Sequence, residues 1–266
     1  MKNTSPRFGV LAACCAAIVW PGTLVFGFPG VLGAHWQAVF GVGSAELGRI
    51  MFFILAPVGC FMFFFGKLLE HWRPSRLVAI GALAGFAGTV LLPHASTFTG
   101  VYLWAFVMGS ATAMTYLSGL TVTQHWFPRH RGLISGVFNL CFGGSAALLS
   151  PLYSWLLMRY GDTVVASVAA ACVLIFGLMA AFFIRFPRAG ETSAPAGAAT
   201  QSRPIPVSMT VAQSLRTRSF WLLWLTWALA GAAGISMVPL AAAFGSARGL
   251  PPQDAVLLLM AFNVTN

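Results

Sequence analysis

Apolar residues occur along this chain in long runs free of charge, apart from Lys67 near the inner end of one, each bounded by a charged residue, a proline or a glycine. A bilayer core about 30 Å thick is crossed by about 20 helical residues at 1.5 Å each. Seven complete runs are long enough to be read as spans, at about residues 8–32, 50–69, 77–92, 98–122, 132–157, 163–184 and 220–244. An eighth opens near Asp254 and reaches Asn266 after about 20 Å of helix, so the pattern predicts a last span that is cut off. The chain reads as an all-α membrane protein.

Composition supports the bilayer as solvent. Hydrophobic residues make up 58% of the 266, charged residues only 8%, and the mean hydropathy is +0.83. Those values exclude an ordinary soluble domain and a disordered segment alike. Cys14, Cys15, Cys60, Cys141 and Cys172 all fall inside apolar runs, which reads as small core residues and gives neither a disulfide framework nor metal-ligand spacing. No metal and no cofactor is implied.

The net charge of +10 would suggest nucleic acid in a soluble protein. Here it follows topology: alternate connections place twelve Lys and Arg on one side and only Arg49, Arg159 and Arg248 on the other. The cation-rich side is the cytoplasmic one. That puts the N-terminus and the long connection after the sixth span in the cytoplasm of a multi-pass protein of the cell (inner or plasma) membrane, with membrane lipids as partners and no nucleic acid. Trp20, Trp36, Trp72, Trp104, Trp126, Trp155 and Trp221 lie near predicted span ends and read as interface anchors. Leu11-Ala12-Ala13-Cys14 resembles a lipoprotein cleavage box, but the apolar stretch before it is short and the run continues for a full span, so an uncleaved first helix is expected.

Residues 185–219 contrast with the rest, with Pro187, Pro195, Pro204 and Pro206 among Ala, Gly, Ser, Thr and basic residues. The expected organisation is a six-helix bundle over 1–184, a cytoplasmic central loop over 185–219, and the start of a second bundle over 220–266. A 3+3 repeat within the six spans is not visible residue by residue and could persist in shape alone.

Two short connections carry motifs. The second-to-third holds Gly66, Lys67, Glu70, His71, Arg73 and Arg76: a glycine one turn before an acid would let two helices approach and offer a carboxylate to a charge network, or the segment is an ordinary basic loop with one stray acid. The fourth-to-fifth reads Trp126-Phe127-Pro128-Arg129-His130-Arg131-Gly132-Leu133-Ile134-Ser135-Gly136. Pro128 ends a helix, Arg129 and Arg131 face the cytoplasm, and Gly132, Gly136 and Gly143 form a small-residue face for helix packing.

Taken together, these loops, six spans, a long basic connection and a seventh span resemble the major facilitator superfamily. The fourth-to-fifth connection, Ile184-Arg185-Phe186-Pro187 and the Ser214-Leu215-Arg216-Thr217-Arg218-Ser219-Phe220-Trp221 stretch look most like its oxalate/formate antiporter and monocarboxylate transporter branches. The resemblance implies a six-helix N-terminal bundle followed by a seventh helix and a truncated eighth. It also implies transport of a small solute, most readily an organic anion (a mono- or dicarboxylate), by alternating access, and a cytoplasmic gate at Gly66, Glu70, Arg73, Arg76, Arg129 and Arg131. In the family's first signature loop an aspartate and an arginine stand where this chain has Glu70 and His71. An aromatic of the fourth helix matches Tyr116, while Phe26 and Phe28 stand where polar aromatics are expected, and the branch's substrate-pairing basic residues belong to the second half. The alternative is a truncated, non-transporting membrane subunit or partial gene product.

All five acids, Glu46, Glu70, Asp162, Glu191 and Asp254, sit at predicted span ends or in loops, which argues against a carboxylate proton relay in this half. Neutral groups remain as cavity candidates: Trp20, Thr112, Thr115, Tyr116, Ser118 and Asn139, with Thr112 and Tyr116 one turn apart. For each, plain helix packing is the competing role. No Ser/His pair, paired carboxylates or clustered His and Cys appear within the spans, so an enzyme is not expected. The oligomeric state is open.

Overall fold

The structure, a computed structural model, describes residues 5–188, 191, 211–235 and separate positions between 238 and 261. Helices α1 (Ser5–Phe26), α2 (Phe28–Phe40), α3 (Ser44–His71), α4 (Pro74–Leu91), α5 (Phe98–Trp126), α6 (Arg131–Tyr160) and α7 (Asp162–Phe183) are followed by the short α8 (Val211–Leu215) and by α9 (Arg218–Ile235). Among the described residues six helical stretches are long and apolar enough to cross a membrane, and the first, Pro6–Phe40, combines α1 and α2 over 35 residues.

Several ends lie beyond those the apolar pattern predicts. The first span runs to Phe40, where Gly41 closes it at φ 66° and donates its N–H to the Gln37 carbonyl. The pattern stopped at residue 32 because Gly33 and His35 interrupt it, yet Trp36 is buried and keeps the helix on the core. Similarly, α3 begins at Ser44 and not near residue 50, because Glu46 works for the helix: its carboxylate accepts the Gly43 N–H at 3.1 Å and the Arg49 guanidinium at 3.0 Å. A charge that marks a boundary in an apolar count is here a cap.

The helices pair in a pattern with an internal two-fold relation. Helix α1 packs on α6 and α7 as α5 packs on α3 and α4, while α4 meets α7 and α1 meets α5 across the middle. Exchanging the first three spans with the second three returns these pairings. Matching glycines mark the closest crossings: a Cβ on Gly22 of α1 would run into the Phe142 carbonyl of α6, and one on Gly109 of α5 into the Ile54 carbonyl of α3. Small residues at such points let backbones touch where lipid supplies no hydrophobic drive.

Among the described residues the small-residue face expected at Gly132, Gly136 and Gly143 meets no neighbouring helix in this way. Among the described residues nothing lies within 4 Å of a Cβ placed on any of the three. Neighbouring α5 meets α6 through Gly119, whose Cβ would lie 2.8 Å from the Phe138 ring. The aromatic anchors divide as well. Trp36, Trp104 and Trp126 are inside, and Phe28 centres a ring cluster with Trp104 at 5.6 Å and Tyr153 at 5.5 Å. Trp104 also donates to the Thr89 hydroxyl at 3.2 Å, so its indole N–H needs no water. Trp72, Trp155 and Trp221 are exposed. Cys60 is exposed too, which removes it from the expected core set.

Most of the central loop expected at 185–219 and the greater part of the eighth span lie outside the described residues. Of that later portion Val238 and Leu259 are fully buried against α2, where a Cβ on Gly30 would stand 2.5 Å from Leu259 Cδ2 and 2.9 Å from the Val238 carbonyl.

Candidate functional site

Helices α5 and α6 come together near one end and hold an accessible polar pair. The Tyr116 hydroxyl donates to Asn139 Oδ1 at 2.7 Å, and the tyrosine ring leans on Phe138 and Phe142 at 5.4 and 5.1 Å. Tyr116 is half-buried and Asn139 exposed, so the pair is fixed yet accessible. Nearer the α5–α6 connection Gln124 donates to the Ser135 hydroxyl at 3.0 Å and ties the same two helices again. With Oδ1 occupied by tyrosine, the Asn139 amide keeps its N–H groups as donors.

The other cavity candidates point elsewhere. Thr112 and Thr115 are turned into the bundle; Thr115 donates back to the Ala111 carbonyl at 3.1 Å, and the buried Thr112 hydroxyl has no partner among the described residues. Ser118 is likewise buried with an unpartnered hydroxyl. Thr112 is therefore one turn from Tyr116 without sharing its accessible surface. Trp20 faces α7, stacked on Phe176 at 5.2 Å.

At the arginine-rich end, the α3–α4 connection is short: the Trp72 N–H reaches the Leu68 carbonyl at 2.8 Å and Arg73 stands before the first turn of α4. Glu70, Arg73, Arg76, Arg129 and Arg131 are all exposed. Gly66 does not mark a close crossing, because its nearest neighbour would be Leu117 Cδ2 at an ordinary 3.9 Å. A cleft of about 440 Å³ opens here between the ends of α3 and α5 and the segment after α7, with Gly66, Glu70, Thr121 and His125 in its lining. At the opposite end a small cavity of about 50 Å³ lies beside His35 and Asp162, which pair at 3.4 Å between α2 and α7.

One assembly was not foreseen. Arg185, just past α7, accepts the Trp126 indole N–H on its carbonyl at 2.7 Å and lays its guanidinium over the same ring at 5.0 Å. That guanidinium holds both Glu191 oxygens, at 2.7 and 2.9 Å, and the Arg188 N–H donates to the same carboxylate at 2.7 Å. Hydrogen bonding from Arg185 and Arg188 pushes the Glu191 carboxyl down to about 2, and Glu191 in turn raises Arg185. The clasp pins the chain leaving α7 to the end of α5. Ile184-Arg185-Phe186-Pro187 was visible as a motif, but its acidic partner six residues on, in a Pro- and Gly-rich stretch, carries no local signal.

The family model described as Major Facilitator Superfamily matches residues 8–266. The oxalate:formate antiporter of Oxalobacter formigenes is 24% identical over 185 residues, covering 70% of this chain and 43% of that protein. The crystal structure of a bacterial homologue of the human lysosomal transporter Spinster, inward-facing and unoccupied, superposes with a TM-score of 0.69 at 16% identity, over 96% of this chain and 59% of that one. The chain thus spans about half the length of the relatives it matches.

Proposed function

Because this chain belongs to the Major Facilitator Superfamily and is built as a multi-pass membrane bundle, we propose that it forms the first half of a carrier that moves a small organic anion, a mono- or dicarboxylate, by alternating access. The Tyr116–Asn139 pair carries this reading. It offers fixed, neutral hydrogen-bond donors at an accessible face, which suit a carboxylate without the desolvation cost of a buried cation. The similarity to the oxalate:formate antiporter supports the substrate class and favours exchange. In this reading residues 1–184 form one rocking unit, 185–219 the cytoplasmic link and 220–266 the opening of the second unit. Glu70 with Arg73, Arg76, Arg129 and Arg131 forms the cytoplasmic gate.

The test is uptake of labelled oxalate, formate and lactate into proteoliposomes holding the full-length protein. Saturable uptake of at least one is expected, accelerated by carboxylate on the far side. Asn139→Ala should raise KM about tenfold, the equivalent of one lost hydrogen bond to a charged group, and Tyr116→Phe, which removes the O–H that holds Asn139 Oδ1, should raise it by less. No uptake of any carboxylate, or unchanged KM in both variants, would overturn the assignment.

A further inference from the structure

Two thiols stand side by side on the first and fifth spans. Helices α1 and α6 run in the same direction and touch where a Cβ on Gly22 would meet the Phe142 carbonyl and one on Gly27 the Ser150 hydroxyl. Cys15 lies two turns before Gly22 on the same face of α1, and Cys141 directly precedes Phe142 on α6. A thiol–thiol hydrogen bond joins the two side chains, and both are half-buried on the apolar cluster that Leu11, Tyr116 and Phe142 also flank. Cys14, the neighbour in sequence, is turned away: it is fully buried, its Cβ 3.7 Å from where a Cβ on Gly119 of α5 would stand.

What such a pair can hold is set by its surroundings. Among the described residues no third His, Cys, Asp or Glu joins it in a group able to hold a metal ion, so zinc and other ions that take four ligands are not served. Two thiolates on a monovalent soft cation such as Cu(I) would leave net negative charge inside an apolar span, a costly state. Mercury(II) would end neutral, but only an organic arsenical ends neutral and also adds an apolar group to rest on the surfaces of Leu11, Tyr116 and Phe142. We propose that Cys15 and Cys141 form a two-thiol site for a trivalent organoarsenical. An arsenoso compound R–As=O condenses with both thiols: two S–H bonds and the As=O bond break, two As–S bonds form, and the oxygen leaves with both protons as water. Arsenic stays trivalent and nothing is oxidised. The second As–S bond closes within the protein and so forms at high effective concentration.

Full-length protein in detergent is treated with phenylarsine oxide, rinsed with excess mercaptoethanol, and weighed intact by mass spectrometry. The measurement is of binding, so its outcome is separate from any result on transport. Wild type and Cys14→Ala should keep the phenylarsenic group through the rinse, whereas Cys15→Ser and Cys141→Ser should each lose it about a hundredfold faster. Dimercaptopropanol, a competing dithiol, should strip it from wild type. Digestion of the wild-type adduct should leave the peptides that hold Cys15 and Cys141 joined through arsenic, a result that needs no variant to fold. No group retained by wild type, retention undiminished in Cys15→Ser or Cys141→Ser, or arsenic joining other cysteines in place of these two overturns the site.

Discussion

Glycines in this chain do opposite things that their spacing alone does not separate. Gly132 and Gly136 stand four apart on α6, the arrangement that suggests a crossing, yet a Cβ there meets nothing within 4 Å among the described residues. Gly22 and Gly109, isolated in apolar sequence, are where backbones touch. The contrast is physical: spacing places small residues on one face, and only the neighbouring helix decides whether that face is used. Gly22→Ala and Gly109→Ala should therefore each cost about 1–3 kcal/mol by overpacking, whereas Gly132→Ala and Gly136→Ala should leave this bundle's thermal midpoint in detergent nearly unchanged. Equal losses in all four would mean that the α6 face is a crossing after all. A second residue-level expectation concerns Glu191. Its carboxyl titrates near 2 in place of the ordinary 4.5, so the stabilisation it brings is fully present above 4.5 and is lost as pH falls through about 2. Trp126 fluorescence, which senses the guanidinium on its ring, should stay constant from pH 7 to 4 and change only below that; a midpoint near 4.5 would show that the clasp does not form in solution.

The existence and order of the first six spans were legible from apolar run length, and their ends were not. Charge was used as a stop, but Glu46 and Arg49 lie inside the first turns of α3, and the carboxylate caps the helix it seemed to precede. Trp36 and Trp104 looked like interface anchors because they sit near predicted ends; the longer helices carry them into the core. The site was legible in part. Tyr116 and Asn139 were both singled out, but their pairing across α5 and α6 depends on a crossing that no local pattern encodes, and Thr112 and Thr115 share a helix with Tyr116 while facing inward. At this scale Glu70, in the last turn of α3, is tested as a gate. In the full-length carrier Glu70→Gln should alter turnover several-fold while substrate affinity changes less, because a gate biases conformations and does not touch solute. Collapse of binding with an unaltered inward-to-outward distribution would give Glu70 another role.

For the whole molecule, the uneven distribution of cations predicts direction in the membrane: the ends of α3, α5 and α7 that carry Arg73, Arg129 and Arg185 should face the cytoplasm. In a cysteine-free background, Arg188→Cys should resist an impermeant maleimide in intact cells and react after permeabilisation; labelling from outside would reverse the orientation. The same scale shows what the internal two-fold relation does not equalise. The first span is divided, at Gly27, into two α-helical rods whose hydrogen bonds continue through the joint, from Gly27 to Thr23 at 2.8 Å and from Val31 to Gly27 at 3.0 Å. From that joint to Phe40 the second rod is 13 residues, an arm of about 20 Å. A swing of about 10° at its base moves the tip by about 3.5 Å, roughly the diameter of a methyl group or a water molecule. The rings of Phe28, Trp104 and Tyr153, close to the fulcrum, have short leverage over that motion, whereas Phe40 against Phe98, 5.7 Å apart at the tip, has long leverage. Torque, more than contact area, ranks these aromatic pairs as brakes on the arm.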